Sequence, residues 1–189
     1  MELNKTFGNV FLKIARDSIE SYLNDENSEP QKENYPHNEL DESRGVFVTL
    51  HKNKELRGCI GYPYPVLPLF NAIVKAARGA AFGDPRFPVL QKDELPEIKI
   101  EVSVLTEPEL INVNNAHEYV KKIDIGKDGL IIEKNMYSGL LLPQVATENN
   151  FTPPQFLNCL AQKAGLGFNA WKEEDSKIYK FQAYIFKEE

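Results

Sequence analysis

Two stretches of this chain open alike and then run the same course, and that recurrence limits the fold more than any other feature. Gly45-Val46-Phe47-Val48-Thr49-Leu50 is β-branched and aromatic. A polar run from His51 to Glu55 separates it from a similar stretch at Leu56 to Ile60, so the pair reads as a hairpin. After the turn marked by Pro63, Pro65 and Pro68, apolar residues recur at helical spacing from about Leu67 to Phe82. Asp84-Pro85-Arg86-Phe87-Pro88 stops that helix, because proline cannot continue it and restrains the residue before it. Ile98, Ile100, Val102 and Val104 then alternate with polar residues, as in a strand with one buried face. The second course starts at Gly129-Leu130-Ile131-Ile132 and pairs it with Leu140 to Leu142. Thr152-Pro153 opens a helix lined by Phe156, Leu157, Leu160 and Ala164, and Gly165 ends it. Ile178 to Phe186 alternates as one last strand. Hairpin, helix and strand, twice over, predict an α+β fold of mainly antiparallel sheet with flanking helices. An ancient internal duplication and a chance likeness of hairpins both account for the repeat.

The remaining segments are simpler. Phe7, Val10, Phe11, Ile14, Ile19 and Tyr22 form one apolar stripe on a helix from about Asn4 to Leu23. Residues 24–43 are polar and mostly acidic, with Pro30 and Pro36, and read as a solvated surface loop or a lid. Asn112 or Asn114 is placed to cap a short helix through Val120. At 189 residues the chain fits one domain, or two small subdomains joined closely. A domain of this size buries roughly 70% of its unfolded surface, so it needs no covalent staple. Cys59 and Cys159 are the only cysteines, which suits two reduced thiols in a reducing compartment. Met1-Glu2-Leu3-Asn4-Lys5 has no apolar signal core behind it, and no stretch approaches the ~18 apolar residues of a membrane span. A cytoplasmic protein is expected. The net charge of −6 argues against general binding to a phosphate backbone.

Leu56-Arg57-Gly58-Cys59-Ile60-Gly61 is the most unusual segment. Strand alternation puts Arg57 and Cys59 on one face, where an arginine can favour the thiolate form of its neighbour. Gly58 and Gly61 leave room for a ligand or a second backbone. The plainer account is a small buried cysteine, glycines at a bulge and Arg57 in a salt bridge.

This hexapeptide is similar to the signature of the AMMECR family. The likeness continues through Gly45 to Leu50, Ala80-Ala81, Asp84 to Pro88 and Ile100 to Leu105. It resumes at Asp128-Gly129-Leu130, Leu141 to Ala146, Phe156-Leu157, Lys163 to Leu166 and Trp171, and so runs in order along nearly the whole chain. Tyr62-Pro63-Tyr64-Pro65 and residues 24–43 depart from it. The resemblance implies an α+β fold without a settled activity. It also implies a link to two partners, a Memo-like metalloprotein and a radical-SAM protein, and through them to a modification pathway.

If the strand Ile98–Leu105 lies beside Leu56–Ile60, then Arg57, Cys59, Glu101 and Ser103 share a polar sheet face, with Asp84 and Arg86 closing its edge. In that arrangement Cys59 is the nucleophile or a metal-facing thiol, Arg57 or Arg86 an anion clamp and Glu101 the proton carrier. A salt bridge across a wet sheet face is the structural alternative. No histidine is well placed. If Cys59 lies four positions from His51's cross-strand level, the gap is roughly 13 Å. No zinc-type ligand spacing and no Walker or Rossmann phosphate loop occurs, so no metal site is expected and no cofactor is named. Tyr62, Tyr64, Phe70, Phe82 and Phe87, with Arg57, Arg78 and Arg86, leave a base-stacking surface as a third reading. In order of preference, the readings are a modification enzyme centred on Cys59, Arg57 and Glu101, a non-catalytic binding module, and a nucleotide- or RNA-binding protein.

Overall fold

A computed structural model of the protein describes residues 5–189. Met1 to Asn4, which carry the leader argument and the expected helix start, lie outside the described residues. The chain divides into two compact units, Met1–Leu105 with Tyr184–Glu189, and Thr106–Ala183.

The first unit contains helix α1 (Lys5–Asn24), strands β1 (Val46–Lys52) and β2 (Glu55–Tyr62), helix α2 (Leu69–Arg78) and strand β3 (Ile98–Leu105). A strand from the end of the chain, β8 (Ala183–Lys187), completes a four-stranded sheet of order β2-β1-β3-β8. β1 and β2 meet in a two-residue turn, Asn53-Lys54, with φ of 54° and 68°. That is the left-handed geometry whose twist suits a tight hairpin. Val46, Val48 and Leu50 of β1, with Ile100, Val102 and Val104 of β3, are fully buried in one cluster with Phe11, Ile14 and Ile19 of α1 and Ile73 and Ala77 of α2. Each of these valine, leucine, isoleucine and phenylalanine side chains contributes about 1.5–3 kcal/mol by leaving water.

Residues 24–43 are more than a solvated loop. Tyr35 and Leu40 are buried, and the Tyr35 hydroxyl donates to Asp17 of α1. Arg78 holds the other end, bonding Ser28 and Glu29 while lying over the Tyr22 ring. An aromatic anchor and one buried leucine fix a segment whose composition alone suggests solvation.

The second unit contains β4 (Glu109–Leu110), α3 (Tyr119–Lys122), β5 (Gly129–Lys134), β6 (Tyr137–Leu141), α4 (Pro143–Glu148), α5 (Pro153–Lys163) and β7 (Lys177–Phe181). Its sheet order is β4-β7-β5-β6, and Leu130, Ile132, Phe156, Leu157, Leu160, Trp171 and Ile178 form its core. Thr152 and Gln155 close a capping box at the start of α5, and Gly165 ends that helix at φ 76°. Two expectations change here. Asn115, rather than Asn112 or Asn114, caps the turn before α3, its side chain accepting the His117 amide. The last strand is two strands in different sheets, β7 and β8, interrupted at Gln182. Gln182 exchanges hydrogen bonds with Thr106, donating to its Oγ1 and accepting from its amide, and this takes the backbone out of the ladder.

The architecture is α+β with helices beside two antiparallel sheets. Both halves place a hairpin first and pair the following strand with the hairpin's first strand. Among the described residues, no helix is long and apolar enough to cross a membrane.

Candidate functional site

The register of the first sheet sets Cys59 of β2 opposite Thr49 of β1, and Thr49 opposite Glu101 of β3. Alternation puts this row on the face away from Val48 and Leu50. Opposed residues of an antiparallel pair hold their Cβ atoms about 4.5–5.5 Å apart. Here that closeness lets the Thr49 hydroxyl donate to Cys59 Sγ at 3.2 Å.

β2 is an outer strand, so the amide and carbonyl of Cys59 that point away from β1 need other partners. The Asp84-Pro85-Arg86 loop supplies both. Asp84 Oδ2 accepts the Cys59 amide at 2.9 Å, and Arg86 Nη2 donates to the Cys59 carbonyl at 3.2 Å. Two side chains thus stand in for a neighbouring strand. Arg86 also grips Asp84 with Nε at 2.9 Å, Nη2 at 2.7 Å and its own amide at 3.1 Å. Those bonds from Arg86, with the Cys59 amide, hold the Asp84 carboxyl well below the ordinary carboxylate range. The loop is delivered by a π-helical turn, Gly79–Gly83, that continues α2. Gly58 lets β2 reach that turn, since a Cβ there would overlap the Ala80 carbonyl oxygen.

Arg57 takes no part in this arrangement. The β1–β2 register slips between Leu50, opposite Gly58, and His51, opposite Leu56, leaving Arg57 as the extra residue of a bulge. Its guanidinium closes on Glu94, with Nε at 3.1 Å and Nη2 at 2.8 Å, while Nη1 bonds the Pro88 carbonyl at 2.9 Å. The Arg57 hydrogen bonds, helped by the Gln91 amide and Lys52, lower the Glu94 carboxyl to about 2. The expectation that Arg57 and Cys59 work side by side fails because alternation does not survive a bulge.

Glu101 is buried and takes Lys187 Nζ at 2.8 Å and His51 Nε2 at 3.8 Å, with the Ser103 hydroxyl at 3.5 Å. Thr49 stands between Glu101 and Cys59, which puts their Cα atoms about 10 Å apart at the usual strand spacing. His51 is nearer than expected. It lies two residues, not four, from Thr49, the partner of Cys59, a rise of about 7 Å, and it faces Glu101. The space expected around the glycines is filled by the protein, Gly58 against Ala80 and Gly61 against Val46 and the Phe47 ring.

The structure therefore brings together Cys59, Asp84 and Arg86, sets Glu101 and Ser103 on the same sheet face, and takes Arg57 away. Thr49, Glu94 and Lys187 are the participants that sequence reasoning missed. Only Glu94 had a local signal, the Gln91–Glu94 spacing of a capping box. Among the described residues, no group of three or more His, Cys, Asp or Glu side chains is placed to hold a metal ion. A cavity of about 580 Å³ lies between α1 and β8, lined by Leu12, Lys13, Arg16, Phe186 and Glu188. Its central cation, Arg16, is already bonded to Glu188 at 2.7 and 2.5 Å.

Comparison with known proteins gives a consistent picture. Protein PF1979 of Pyrococcus furiosus is 49% identical over 189 residues, covering 97% of this chain and 89% of the relative. Protein MJ0810 of Methanocaldococcus jannaschii is 49% identical over 183 residues, covering 96% of this chain and 90% of the relative. The crystal structure of uncharacterized protein PH0010 from Pyrococcus horikoshii superposes with a TM-score of 0.95 at 44% identity, covering 100% of this chain and 95% of that one. The names of these relatives state no reaction. The AMMECR1 family model matches residues 12–186, and the chain belongs to the AMMECR1 family.

Proposed function

We propose that this protein is a thiol-dependent enzyme, or the thiol-bearing component of one, with Cys59 as the nucleophile. The observation that carries the reading is the bracket around a single small residue. Thr49 donates to the sulfur, Asp84 accepts from the amide and Arg86 donates to the carbonyl. A hydroxyl donor and a nearby guanidinium both favour the thiolate, the form that attacks electrophilic carbon. In the proposed step the sulfur forms a bond to that carbon, the leaving group departs with its electron pair, and the thiol proton passes to solvent. Glu101, held by Lys187 and His51, supplies negative charge two strands away on the same sheet face. Two reduced thiols suit a cytoplasmic setting, where a modification pathway with Memo-like and radical-SAM partners would operate.

The edge-strand role of Asp84 and Arg86 favours a second reading, a binding module in which the bracket serves the fold alone. Alkylation separates the two. With iodoacetamide at pH 7, followed by mass spectrometry, Cys59 is expected to react about tenfold faster than 2-mercaptoethanol. The variant Thr49→Val is expected to lose most of that advantage. A wild-type rate at or below that of the free thiol supports the binding module instead.

A further inference from the structure

We infer that the electrophile Cys59 acts on carries an oxyanion, a carboxylate or phosphate, and that Arg86 binds it. The inference rests on the thiol reading above and names the substrate class for that site. It starts from the contrast between two arginines within reach of the same strand.

Arg57 is closed. Its three guanidinium nitrogens all bond the protein, and its side chain is 10% exposed. Arg86 is fixed yet open. Nε and Nη2 are engaged, Nη1 makes no hydrogen bond among the described residues, and the side chain is 55% exposed. An exposed arginine normally wanders among rotamers. This one is held by Asp84, by the Cys59 carbonyl and by the Phe87 ring, 5.4 Å from the guanidinium carbon. A fork ordered in advance costs less entropy when it takes up a ligand.

The partner carboxylate does not cancel the attraction. Asp84 is 2% exposed, and its two oxygens already accept four donors, the Cys59 amide and three groups of Arg86. The pair therefore presents its negative end inward and its positive end to solvent. That positive end sits on the carbonyl of the nucleophile's own residue. In the inferred arrangement an oxyanion taken up by Arg86 is held beside the Cys59 residue, and attack requires that a carbon one or two bonds from it reach Sγ. Chemistry at this distance needs no oxidant or reductant. The sulfur–carbon bond forms as the carbon–leaving-group bond breaks.

Two alkylating agents of almost equal size test this, iodoacetate and iodoacetamide. In both, the Cys59 thiolate displaces iodide, but only the first carries the anion. The rate ratio of iodoacetate to iodoacetamide at Cys59 is expected to exceed the ratio for 2-mercaptoethanol by about tenfold, the scale of one charge-assisted hydrogen bond. It should fall as salt rises. Arg86→Gln is expected to return the ratio to the free-thiol value, and Arg86→Lys to retain part of the preference. Because the ratio is taken within one protein, a general loss of reactivity in a loosened variant cancels. Acetate and inorganic phosphate then distinguish the anions. Protection of Cys59 by one of them supports the inference and assigns the group. Protection by neither, or a wild-type ratio equal to the free thiol's, overturns it. Failure of Cys59 to react with either reagent is a different result and sinks the thiol reading itself.

Discussion

The two sheets share one plan and differ at one strand. In each, a hairpin is followed by helix and then by a strand that pairs with the hairpin's first strand, giving β2-β1-β3 in one and β6-β5-β7 in the other. In each, a glycine of the outer strand lies against the end of a helix later in the same half, α2 with its π-helical turn in one and α5 in the other. Gly58 meets Ala80, and a Cβ on Gly139 would fall 2.9 Å from Ala164. After that glycine the halves part. Gly58 is followed by Cys59, opposite Thr49, whereas Gly139 is followed by Leu140, opposite Ile131. The helix behind β2 leads into Asp84-Pro85-Arg86, while the helix behind β6 ends at Gly165-Leu166-Gly167, a run without charged side chains. What recurs serves the fold. What occurs once, the bracketed thiol, is where function is to be sought.

The largest test of the shared plan is at its glycines. Gly58→Ala is expected to cost about 3 kcal/mol, because the clash is with backbone and neither element can yield easily. Gly139→Ala, with its looser approach, should cost about 1 kcal/mol. Denaturant titration of both variants measures this, and a neutral Gly58→Ala would break the comparison.

Next in size is the closed ion pair. Arg57→Ala leaves Glu94 without its main partner in a site where the two side chains are 10% and 18% exposed. A loss of about 3 kcal/mol is expected, and Arg57→Lys, which lacks the planar fork, should lose part of it. Neither should alter the iodoacetate preference of Cys59. A change in that preference without a change in stability would return Arg57 to the site.

The two carboxylates also make the first unit acid-sensitive in a defined direction. Both are depressed on folding, Glu94 from 4.5 to about 2 and Asp84 from 3.8 to a lower value still. Their contribution is therefore complete above the unfolded values and is lost as pH falls through the folded ones. Urea midpoints measured from pH 6 downwards should decline below about pH 4.5, and less steeply in Asp84→Asn and Glu94→Gln. Equal acid limbs in wild type and variants would contradict the assignment. The smallest effect is expected from Cys59→Ala, under about 1 kcal/mol, since a small, only partly buried thiol contributes little to packing.

Much of this was legible in the sequence, and the exceptions have physical causes. Strand alternation exposed both hairpins, and the Thr152-Pro153 start and Gly165 stop located α5. Register was harder. A plain two-residue hairpin closing at Asn53-Lys54 pairs Thr49 with Gly58, and only the unpaired Arg57 moves Cys59 opposite Thr49. An inserted residue leaves no mark in the pattern of apolar and polar side chains, so Thr49 looked like an ordinary strand former. Alternation likewise runs unbroken through Gln182, although the backbone there changes sheets. Asp84 and Arg86 were visible as a proline-fixed loop at the edge. Their grip on the amide and carbonyl of Cys59 depends on the π-helical turn that delivers them, which helical spacing does not reveal.

The central claim, that the bracket makes Cys59 a working thiol, can be tested inside one molecule. Cys159 in α5 is also half-buried, but it packs beside the second core with no such bracket among the described residues. Iodoacetamide at pH 7, with both cysteines followed by peptide mass spectrometry, gives the ratio of their rates free of differences between samples. Cys59 is expected to react at least about tenfold faster than Cys159, and Thr49→Val and Arg86→Gln should narrow the gap. Equal rates, or a slower Cys59, would contradict the account and leave the bracket as a brace for an outer strand.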